Sequence, residues 1–573
     1  MVTTVANEAR PLGPGDGAGR LLDFATASHA RSLIFLILFS LAAFLPGFFQ
    51  IPPVDRDEAR FAQATKQMIQ TGNYVDIRFQ DEVRYKKPVG IYWLQAAAVT
   101  TASALGVPRA QTTIWLYRIP SLLGAICAVL LTYWAALPFV PRRYAYLAGL
   151  MLASSILLGV EARLAKTDAM LLLTVVAAMG SLARVYLRAS APGNASIAWS
   201  LPAIFWTALA GGVLLKGPLI LLFVGLAIAT LVAVDRRARW LLALRPLPGV
   251  VWFAVLVLPW FLAILGLAGE SFLVESIGRD MFAKIVTSQE SHGAPPALYL
   301  LLFWVTFWPA APLALLAAPA IYAERKRPPV RFLLAWVVPA WIVLELVITK
   351  LPHYVLPLYP AIAILIAMAM EGGALSERRW LKRGTVGWPL IAAVASLGAI
   401  VGLMVLRHQL GLAAWPFAGG AMILGFLAWR FFDIDGAERS LVRASFALVC
   451  IVIAVFGIIA PSLRPLFPSA TIERLFRSVD CREPRAAAAG YHEPSLIFLL
   501  GTETRLTDGA GAADFLRQGG CRFAIVEMRQ ERAFVQRAEA TLLRYAAFAR
   551  IDGINISGGR PISLAIYRSE TEQ

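Results

Sequence analysis

Residues 163–187 read RLAKTDAMLLLTVVAAMGSLARVYL, a short charged segment followed by a long apolar stretch. About 20 apolar residues suffice for a helix that crosses a bilayer, so this segment predicts a transmembrane helix with Asp168 at its start. Asp168 can cap that helix. A charge at membrane depth is costly, however, and persists mainly where it lines a wet cavity or binds a ligand. The segment therefore predicts a membrane fold with a polar site near one membrane surface.

Apolar stretches of this kind recur along the chain. Of its 573 residues, 58% are hydrophobic and 16% are charged, whereas soluble domains carry about 25% charged residues. The pattern predicts an all-α, multi-pass membrane domain of about 13 transmembrane helices. The predicted spans lie near residues 33–50, 115–138, 145–161, 169–187, 200–215, 217–234, 249–268, 297–322, 331–349, 354–371, 386–406, 412–431 and 441–461.

The net charge of +17 does not indicate a nucleic-acid partner. The basic residues concentrate in short loops between the spans, as the positive-inside rule expects. Examples are Arg142-Arg143, Arg236-Arg237-Ala238-Arg239 and Arg325-Lys326-Arg327. These loops place residues 1–32 in the cytoplasm as a tail. An odd number of spans then places residues 462–573 on the periplasmic side.

Two parts of the chain are predicted to fold outside the membrane domain, which spans residues 33–461. The long periplasmic loop 51–114 contains a helix from Asp57 to Gln70, which Gly72 ends, and Pro88 is placed to open a second helix. Residues 462–573 alternate short apolar runs with helical segments near 511–518 and 529–547, which predicts a small α/β domain. The apolar runs, taken as strands, are 495–500, 522–526 and 562–567. Cys481 and Cys521 can form a disulfide there if the compartment is oxidising.

Short polar clusters on the predicted periplasmic side stand out from the apolar background, and five of them predict one active site. Each also has a simpler explanation. Acids can complement a helix dipole, lysines can snorkel to the interface, and mixed charges can form a solvated surface. The clusters are Asp57-Glu58-Ala59-Arg60, Tyr85-Lys86-Lys87-Pro88, Ala165-Lys166-Thr167-Asp168, the loop with Arg279 and His292, and Lys350-Leu351-Pro352-His353-Tyr354.

Together these clusters offer two kinds of chemistry. Lysine, arginine and tyrosine side chains can hold a phosphate leaving group by charge-assisted hydrogen bonds. Asp57 and Asp168 can orient an acceptor, accept its proton, or stabilise positive charge that develops on a sugar ring. The sequence shows no Gly-rich nucleotide-binding motif, so the predicted donor is lipid-linked rather than a soluble nucleotide sugar.

The ordered motifs between residues 33 and 370 resemble those of a bacterial membrane glycosyltransferase family. This is the protein O-mannosyltransferase-like superfamily with the GT-C fold, in particular the lipid A aminoarabinose transferases and their relatives. The C-terminal part matches in architecture only. The motifs are Pro52-Pro53, Asp57-Glu58-Ala59-Arg60-Phe61, Tyr85-Lys86-Lys87-Pro88-Val89-Gly90-Ile91-Tyr92-Trp93, the Arg163–Asp168 segment, Lys216-Gly217-Pro218, and Lys350-Leu351-Pro352-His353-Tyr354-Val355-Leu356-Pro357.

The resemblance implies an inverting transfer from a sugar on polyprenyl phosphate. It assigns Asp57 and Asp168 to the catalytic site, and Lys87, Tyr354 and Arg279 to the donor phosphate. Other residues of the same polar clusters are predicted to bind the donor phosphate or the substrate. Lys350 is assigned to the phosphate site, and the substrate-binding set is Glu58, Arg60, Lys86 and His353.

The resemblance also bears on a metal. In the aminoarabinose transferases a glutamate that helps to hold a structural zinc precedes the matching lysine, and here that position is Lys86. We therefore predict no metal, despite His292 and His492, and no required cofactor.

The predicted protein is a glycosyltransferase of the bacterial inner membrane. It moves a sugar to lipopolysaccharide, lipid A or another envelope acceptor at the periplasmic face. The alternative is a transporter or flippase of lipid-linked sugars, which also needs charges inside a helical bundle. That alternative favours charges buried mid-span and an internal repeat, whereas here the charges gather at one rim.

Overall fold

The computed structural model describes residues 17–190, 198–269, 272, 294–481 and 483–570. It is mostly helical, with a small sheet near the C-terminus. Among the described residues, eight helices are long and apolar enough to cross a membrane, and four shorter apolar helices accompany them. The long ones are Ile114–Ala136, Asp168–Ser190, Pro246–Ala268, Pro328–Leu346, Pro352–Glu371, Arg379–Arg407, Leu412–Arg430 and Phe432–Ser462. The shorter ones are His29–Phe44, Ser200–Lys216, Leu219–Asp235 and Ala311–Ala323.

This architecture confirms the predicted helical membrane domain, whereas the count of thirteen spans stays a prediction. The predicted spans near 145–161 and 297–322 are each divided into two helices in the structure. Among the described residues, the remaining α-helices outside the C-terminal sheet region are Gly17–Ala25, Asp57–Thr71, Gly90–Ala104, Arg142–Ala153, Ile156–Glu161, Leu298–Thr306 and Arg379–Lys382, the last being the first turn of the long Arg379–Arg407 segment.

The helix Asp168–Ser190 lies at the centre of the bundle. Of its most apolar window, 78% is buried, against 17% for the peripheral helix Pro246–Ala268. It packs against the helices Ile114–Ala136 and Ser200–Lys216. Because protein surrounds this helix on most sides, Asp168 at its N-terminus faces other side chains rather than lipid.

Two glycines allow the close helix contacts that shape this region. A Cβ at Gly124 would lie 2.7 Å from Met170 Sδ, and one at Gly90 would lie 2.7 Å from the carbonyl oxygen of Leu214. The first contact brings the helix Ile114–Ala136 against the start of the central helix. The second brings the segment after Lys87 against the end of the helix Ser200–Lys216. Both contacts draw polar residues that are distant in sequence toward one place.

The loop of residues 51–114, called the outer loop below, folds much as its sequence predicts. Its first helix is Asp57–Thr71, and Gly72 ends it in the left-handed conformation, with φ of 69°. The second helix begins at Gly90, two residues after Pro88. Between them lies a two-stranded antiparallel pair that was not predicted, formed by β1 (Arg78–Phe79) and β2 (Glu82–Val83).

The C-terminal part contains a mixed sheet of five strands, β3 (Arg485–Ala489), β4 (Arg505–Thr507), β5 (Arg522–Glu527), β6 (Tyr545–Asn555) and β7 (Arg560–Ser569). Their order in the sheet is β4-β3-β5-β7-β6. Strands β3, β4 and β5 are parallel, and β7 pairs antiparallel with both β5 and β6. Cys481 and Cys521 precede β3 and β5 and form a disulfide, with their Cα atoms 6.4 Å apart. The helices around the sheet are Pro468–Arg477, Pro494–Leu500, Gly509–Arg517 and Met528–Ala540.

One element of this domain differs from its prediction. The run 495–500, predicted as a strand, is the helix Pro494–Leu500. A short apolar run does not distinguish a buried strand from a buried helix by periodicity. Proline suits the first helical turn, where its missing N–H leaves no hydrogen bond unmade. The predicted helix 529–547 is also shorter than expected, since it ends at Ala540 and β6 begins at Tyr545.

Candidate active site

A polar cavity of about 330 Å³ opens where the outer loop meets the end of the helical bundle. Four of the five predicted clusters contribute to it, and the fifth, with Arg279 and His292, lies outside the described residues. Most of the predicted site residues line it, namely Asp57, Glu58, Arg60, Lys86, Lys87, Asp168, His353 and Tyr354. Further lining residues that the prediction did not assign to the site include Asp55, Arg56, Arg84, Lys166, Thr167, Lys216 and Thr349.

Glu58 anchors the loop that carries Asp57. Its carboxylate accepts hydrogen bonds from Arg118 Nε and Nη2 at 2.7 and 2.9 Å, and from the amides of Val54 and Ala165 at 2.9 Å each. Arg118 is fully buried and also donates to the carbonyl oxygens of Phe48, Ile51 and Pro52. These contacts occupy its carboxylate and favour a role of Glu58 in holding the loop, whereas its predicted substrate-binding role stays a prediction.

Asp57 is exposed to the cavity while its neighbour Glu58 is buried. Successive residues of a helix point about 100° apart, so one faces the core and the other the opening. The first turn of this helix can therefore hold the loop with one acid and present the other to a substrate.

Asp168 lies in a buried network of opposite charges. Its carboxylate pairs with Lys216 Nζ, and it also lies 3.8 Å from Lys166 Nζ and 3.6 Å from His353 Nε2. The Asp168 side chain is 6% exposed and that of Lys216 9%. Lys216 was quoted as part of a sequence motif but was not assigned to the site. The sequence feature that could have identified it as a site residue is a lysine at the end of an apolar helix, just before Gly217-Pro218.

Glu161, Asp168 and His353 form the one group among the described residues with the arrangement of metal ligands, all within 4.8 Å of one another. Two lysines already balance the two carboxylates, since Lys166 lies 3.2 Å from Glu161 and Lys216 pairs with Asp168. A divalent cation would add positive charge to a buried site that is already neutral, which is costly. We therefore assign no metal to these residues.

Of the two histidines that the sequence suggests as metal ligands, His492 lies outside this group. His492 lies in the C-terminal domain, where Nε2 is 3.1 Å from the carbonyl oxygen of Thr507. His292 lies outside the described residues.

The basic side of the cavity includes Lys86, Lys87 and Arg84 from the outer loop. Tyr354 lines the same space, and Lys216 Nζ lies 5.4 Å from the centre of its ring. Lys350 does not line the cavity. Its Nζ donates to the carbonyl oxygens of Val347 and Ala294 at 2.7 and 3.1 Å. These contacts close a turn between two helices, so they do not support the predicted place of Lys350 in the phosphate site, which stays a prediction.

Comparisons with known proteins find relatives of this chain in both sequence and fold. The family model described as dolichyl-phosphate-mannose-protein mannosyltransferase matches residues 34–310. An undecaprenyl phosphate-alpha-4-amino-4-deoxy-L-arabinose arabinosyl transferase of Pectobacterium carotovorum is 28% identical over 414 residues, which is 70% of each chain. The Aeromonas salmonicida transferase of the same name is 29% identical over 68% of this chain and 71% of its own. The crystal structure of ArnT from Cupriavidus metallidurans bound to undecaprenyl phosphate superposes with a TM-score of 0.72 at 18% identity, over 94% of this chain and 98% of the other.

In sequence and fold this chain is therefore similar to membrane glycosyltransferases of the GT-C type, in the protein O-mannosyltransferase-like superfamily. Among those proteins, the aminoarabinose transferases are similar to it over about two thirds of the chain or more.

Proposed function

We propose that this protein transfers a sugar from a polyprenyl-phosphate donor to lipid A, another part of lipopolysaccharide, or a further envelope acceptor, with inversion at the anomeric carbon. The observation that carries the proposal is one cavity lined both by acids, Asp57 and Asp168, and by a basic set around Lys87 and Tyr354. The names of the relatives support it, because they specify transferases that use a sugar on undecaprenyl phosphate.

In this mechanism the basic side of the cavity holds the donor phosphate. Lys87, Lys86 and Tyr354 stabilise the negative charge that grows on the phosphate oxygen as its bond to the sugar breaks. The acceptor oxygen attacks the anomeric carbon from the opposite face, and polyprenyl phosphate leaves. If the acceptor is a hydroxyl, its proton passes to Asp57. If the acceptor is a phosphate there is no proton to remove, and Asp57 orients it or acts electrostatically.

Asp168 has a different role in this proposal. Lys216 and Lys166 hold its carboxylate, so it is rigid and ionised beside the cavity. A fixed negative charge there stabilises the positive charge that develops on the sugar ring in the transition state. Arg60 and His353 line the remaining wall and contribute to substrate binding. The sequence-based assignment of Arg279 to the phosphate remains part of the proposal, although Arg279 lies outside the described residues.

The proposed topology places this site at the periplasmic face of the bacterial inner membrane. Residues 1–32 form the cytoplasmic tail, residues 33–461 the membrane domain of 13 spans, and residues 462–573 the periplasmic domain. Because a lipid-linked donor is confined to the bilayer, a cavity at the membrane rim can receive it laterally.

The test uses the purified protein in liposomes that contain undecaprenyl phosphate carrying a labelled sugar. With lipid A as acceptor, we expect the label to move to lipid A and free undecaprenyl phosphate to accumulate. With acceptor absent, we expect no net movement of donor between leaflets. Movement without transfer would contradict the proposal and favour a flippase.

Replacement of Lys87 by alanine is expected to weaken donor binding. A hydrogen bond to a charged group contributes about 1.5–3 kcal/mol, so the Kd for the donor should rise by roughly 10- to 100-fold. Equilibrium binding of undecaprenyl phosphate to the purified variant measures this. The matched control is Arg78→Ala, which removes an exposed cation of the same loop that pairs with Asp76 outside the cavity. Equal loss in both variants would show a general effect of loop charge and contradict the phosphate role of Lys87.

A further inference from the structure

The loop that presents Asp57 is held from two sides. One side is the membrane domain, through Glu58 and Arg118. The other is the C-terminal domain, whose residue Ser495 donates from its amide to Asp55 Oδ1 and from its hydroxyl to Asp55 Oδ2, both at 2.8 Å. Asp55 and Asp57 are only two residues apart, so this contact joins the C-terminal domain to the loop close to Asp57.

The residue between them is in an unfavourable backbone conformation. Arg56 has φ of 46° and ψ of −73°, a region that non-glycine residues rarely adopt. Its Nη2 donates to the carbonyl oxygen of Ser557 at 3.0 Å, at the tip of the hairpin between β6 and β7. That tip is itself held by Glu493, which accepts from Asn555 Nδ2 at 2.8 Å and from Ser557 Oγ at 3.0 Å. A strained conformation persists only where the surroundings impose it, and here the C-terminal domain supplies part of that constraint.

We propose that the C-terminal domain is part of the catalytic apparatus, and that Asp55 and Arg56 are positioning residues through which it sets the orientation of Asp57. This inference rests on the proposed function, because it assigns the geometry of the same site to a second domain. The domain would thereby regulate transfer by docking onto the loop, without contributing a group to the chemistry itself.

The charge of Asp55 is expected to tune this docking. Burial, with a further contribution from Glu493, raises the pKa of Asp55 to about 7, while Ser495 and Arg60 oppose the rise. Tyr491 lies in the same cluster, and burial, together with the charges of Asp55 and Glu493, raises the pKa of its hydroxyl. An acid with a raised pKa stabilises the docked state below its unfolded pKa, near 4, and loses this contribution as the pH rises through about 7. Docking should therefore weaken as the pH rises from about 4 to about 7 and change little above that, and Asp55→Asn, which stays neutral, should remove this dependence.

The decisive comparison is Asp55→Ala against Asp55→Asn in the full-length protein. A displacement of about 1 Å at a reacting group can cost roughly 10²-fold, so Asp55→Ala should lower kcat by about that factor. The donor KM should stay within about twofold, because the proposed phosphate site lies on other segments. Asparagine keeps the size of aspartate and can still accept from the Ser495 amide and donate to its hydroxyl, so Asp55→Asn should recover most of kcat.

The control removes a contact of the same interface away from the loop. Thr502 bonds with Gln63 and Gln70 along the helix Asp57–Thr71, at 2.9 and 2.8 Å. Thr502→Ala should lower thermal stability slightly and leave kcat unchanged. If Asp55→Ala retains full kcat, or if Asp55→Asn is as impaired as Asp55→Ala, the positioning role is wrong.

Hydrogen exchange of the amides of residues 54–58 provides a readout that does not depend on activity. We expect faster exchange in Asp55→Ala and in Ser495→Ala than in the wild type, and at pH 8 slower exchange in Asp55→Asn than in the wild type, whose Asp55 is then ionised. Unchanged exchange in both alanine variants would overturn the inference. If the exchange result holds but the wild type transfers no sugar from a polyprenyl donor, the docking stands and the proposed function fails. Ser495→Ala, which removes only a hydroxyl, provides the test if Asp55→Ala does not accumulate.

Discussion

Replacement of Asp57 by asparagine is expected to reduce sugar transfer by roughly 10²- to 10⁴-fold, the range associated with a general base or a preorganised charge. Asp57 is exposed in the cavity, and the contacts that hold its loop are made by Glu58, Arg118 and Asp55. The variant should therefore fold and accumulate like the wild type. Transfer of labelled sugar to lipid A in liposomes, measured beside the thermal unfolding midpoint, separates the two effects.

The control for this experiment is Asp81→Asn. Asp81 is an exposed acid of the same outer loop that does not line the cavity. It should retain full activity, since it changes the loop charge by the same amount at a distance from the site. Wild-type transfer by Asp57→Asn would remove the central residue of the proposed mechanism.

The second large effect is expected for Asp168→Asn, which should lose both activity and stability. Its carboxylate compensates two buried lysines, Lys216 and Lys166. Removal of one partner from a buried ion pair typically costs about 3–5 kcal/mol, because the remaining charge is left uncompensated. We therefore expect a clear fall in the unfolding midpoint together with loss of transfer.

A double variant separates the structural and chemical roles of Asp168. Asp168→Asn combined with Lys216→Met removes both charges of the closest pair, and such replacements are often neutral for stability. Lys166 retains its contact with Glu161 at 3.2 Å. We expect the double variant to regain much of the lost stability while transfer stays absent. Recovery of activity along with stability would mean that Asp168 serves only the fold.

The predictions from sequence were most accurate where a local pattern carries the information. The helix from Asp57, its end at Gly72 and the apolar helices of the bundle follow from periodicity and capping, which depend on neighbouring residues. They were least accurate where a choice depends on distant partners. Glu58 and Asp57 are adjacent acids, and the buried one is held by distant partners, above all Arg118, sixty residues away.

The same limitation explains the two lysines. Lys350 belongs to an ordered motif for which a phosphate contact is predicted. In the structure, however, its ammonium group donates hydrogen bonds to the carbonyl oxygens of Val347 and Ala294. Lys216 ends an apolar helix, and its ion pair with Asp168 forms only because that helix packs beside Asp168 in the tertiary structure. In both cases the sequence shows that a charge exists at the rim of the membrane but not which group neutralises it.

The amino-acid sequence by itself therefore determined the membrane class, the similarity to a glycosyltransferase superfamily, and the set of polar clusters from which the site is built. These follow from the cost of placing charge beside hydrocarbon and from short ordered motifs, both of which are local properties. The tertiary structure alone decided which acid faces the cavity, which lysine meets Asp168, and that the C-terminal domain holds the loop of Asp57. Those outcomes depend on helix packing, since contacts between residues far apart in sequence arise only when the helices close around a common core.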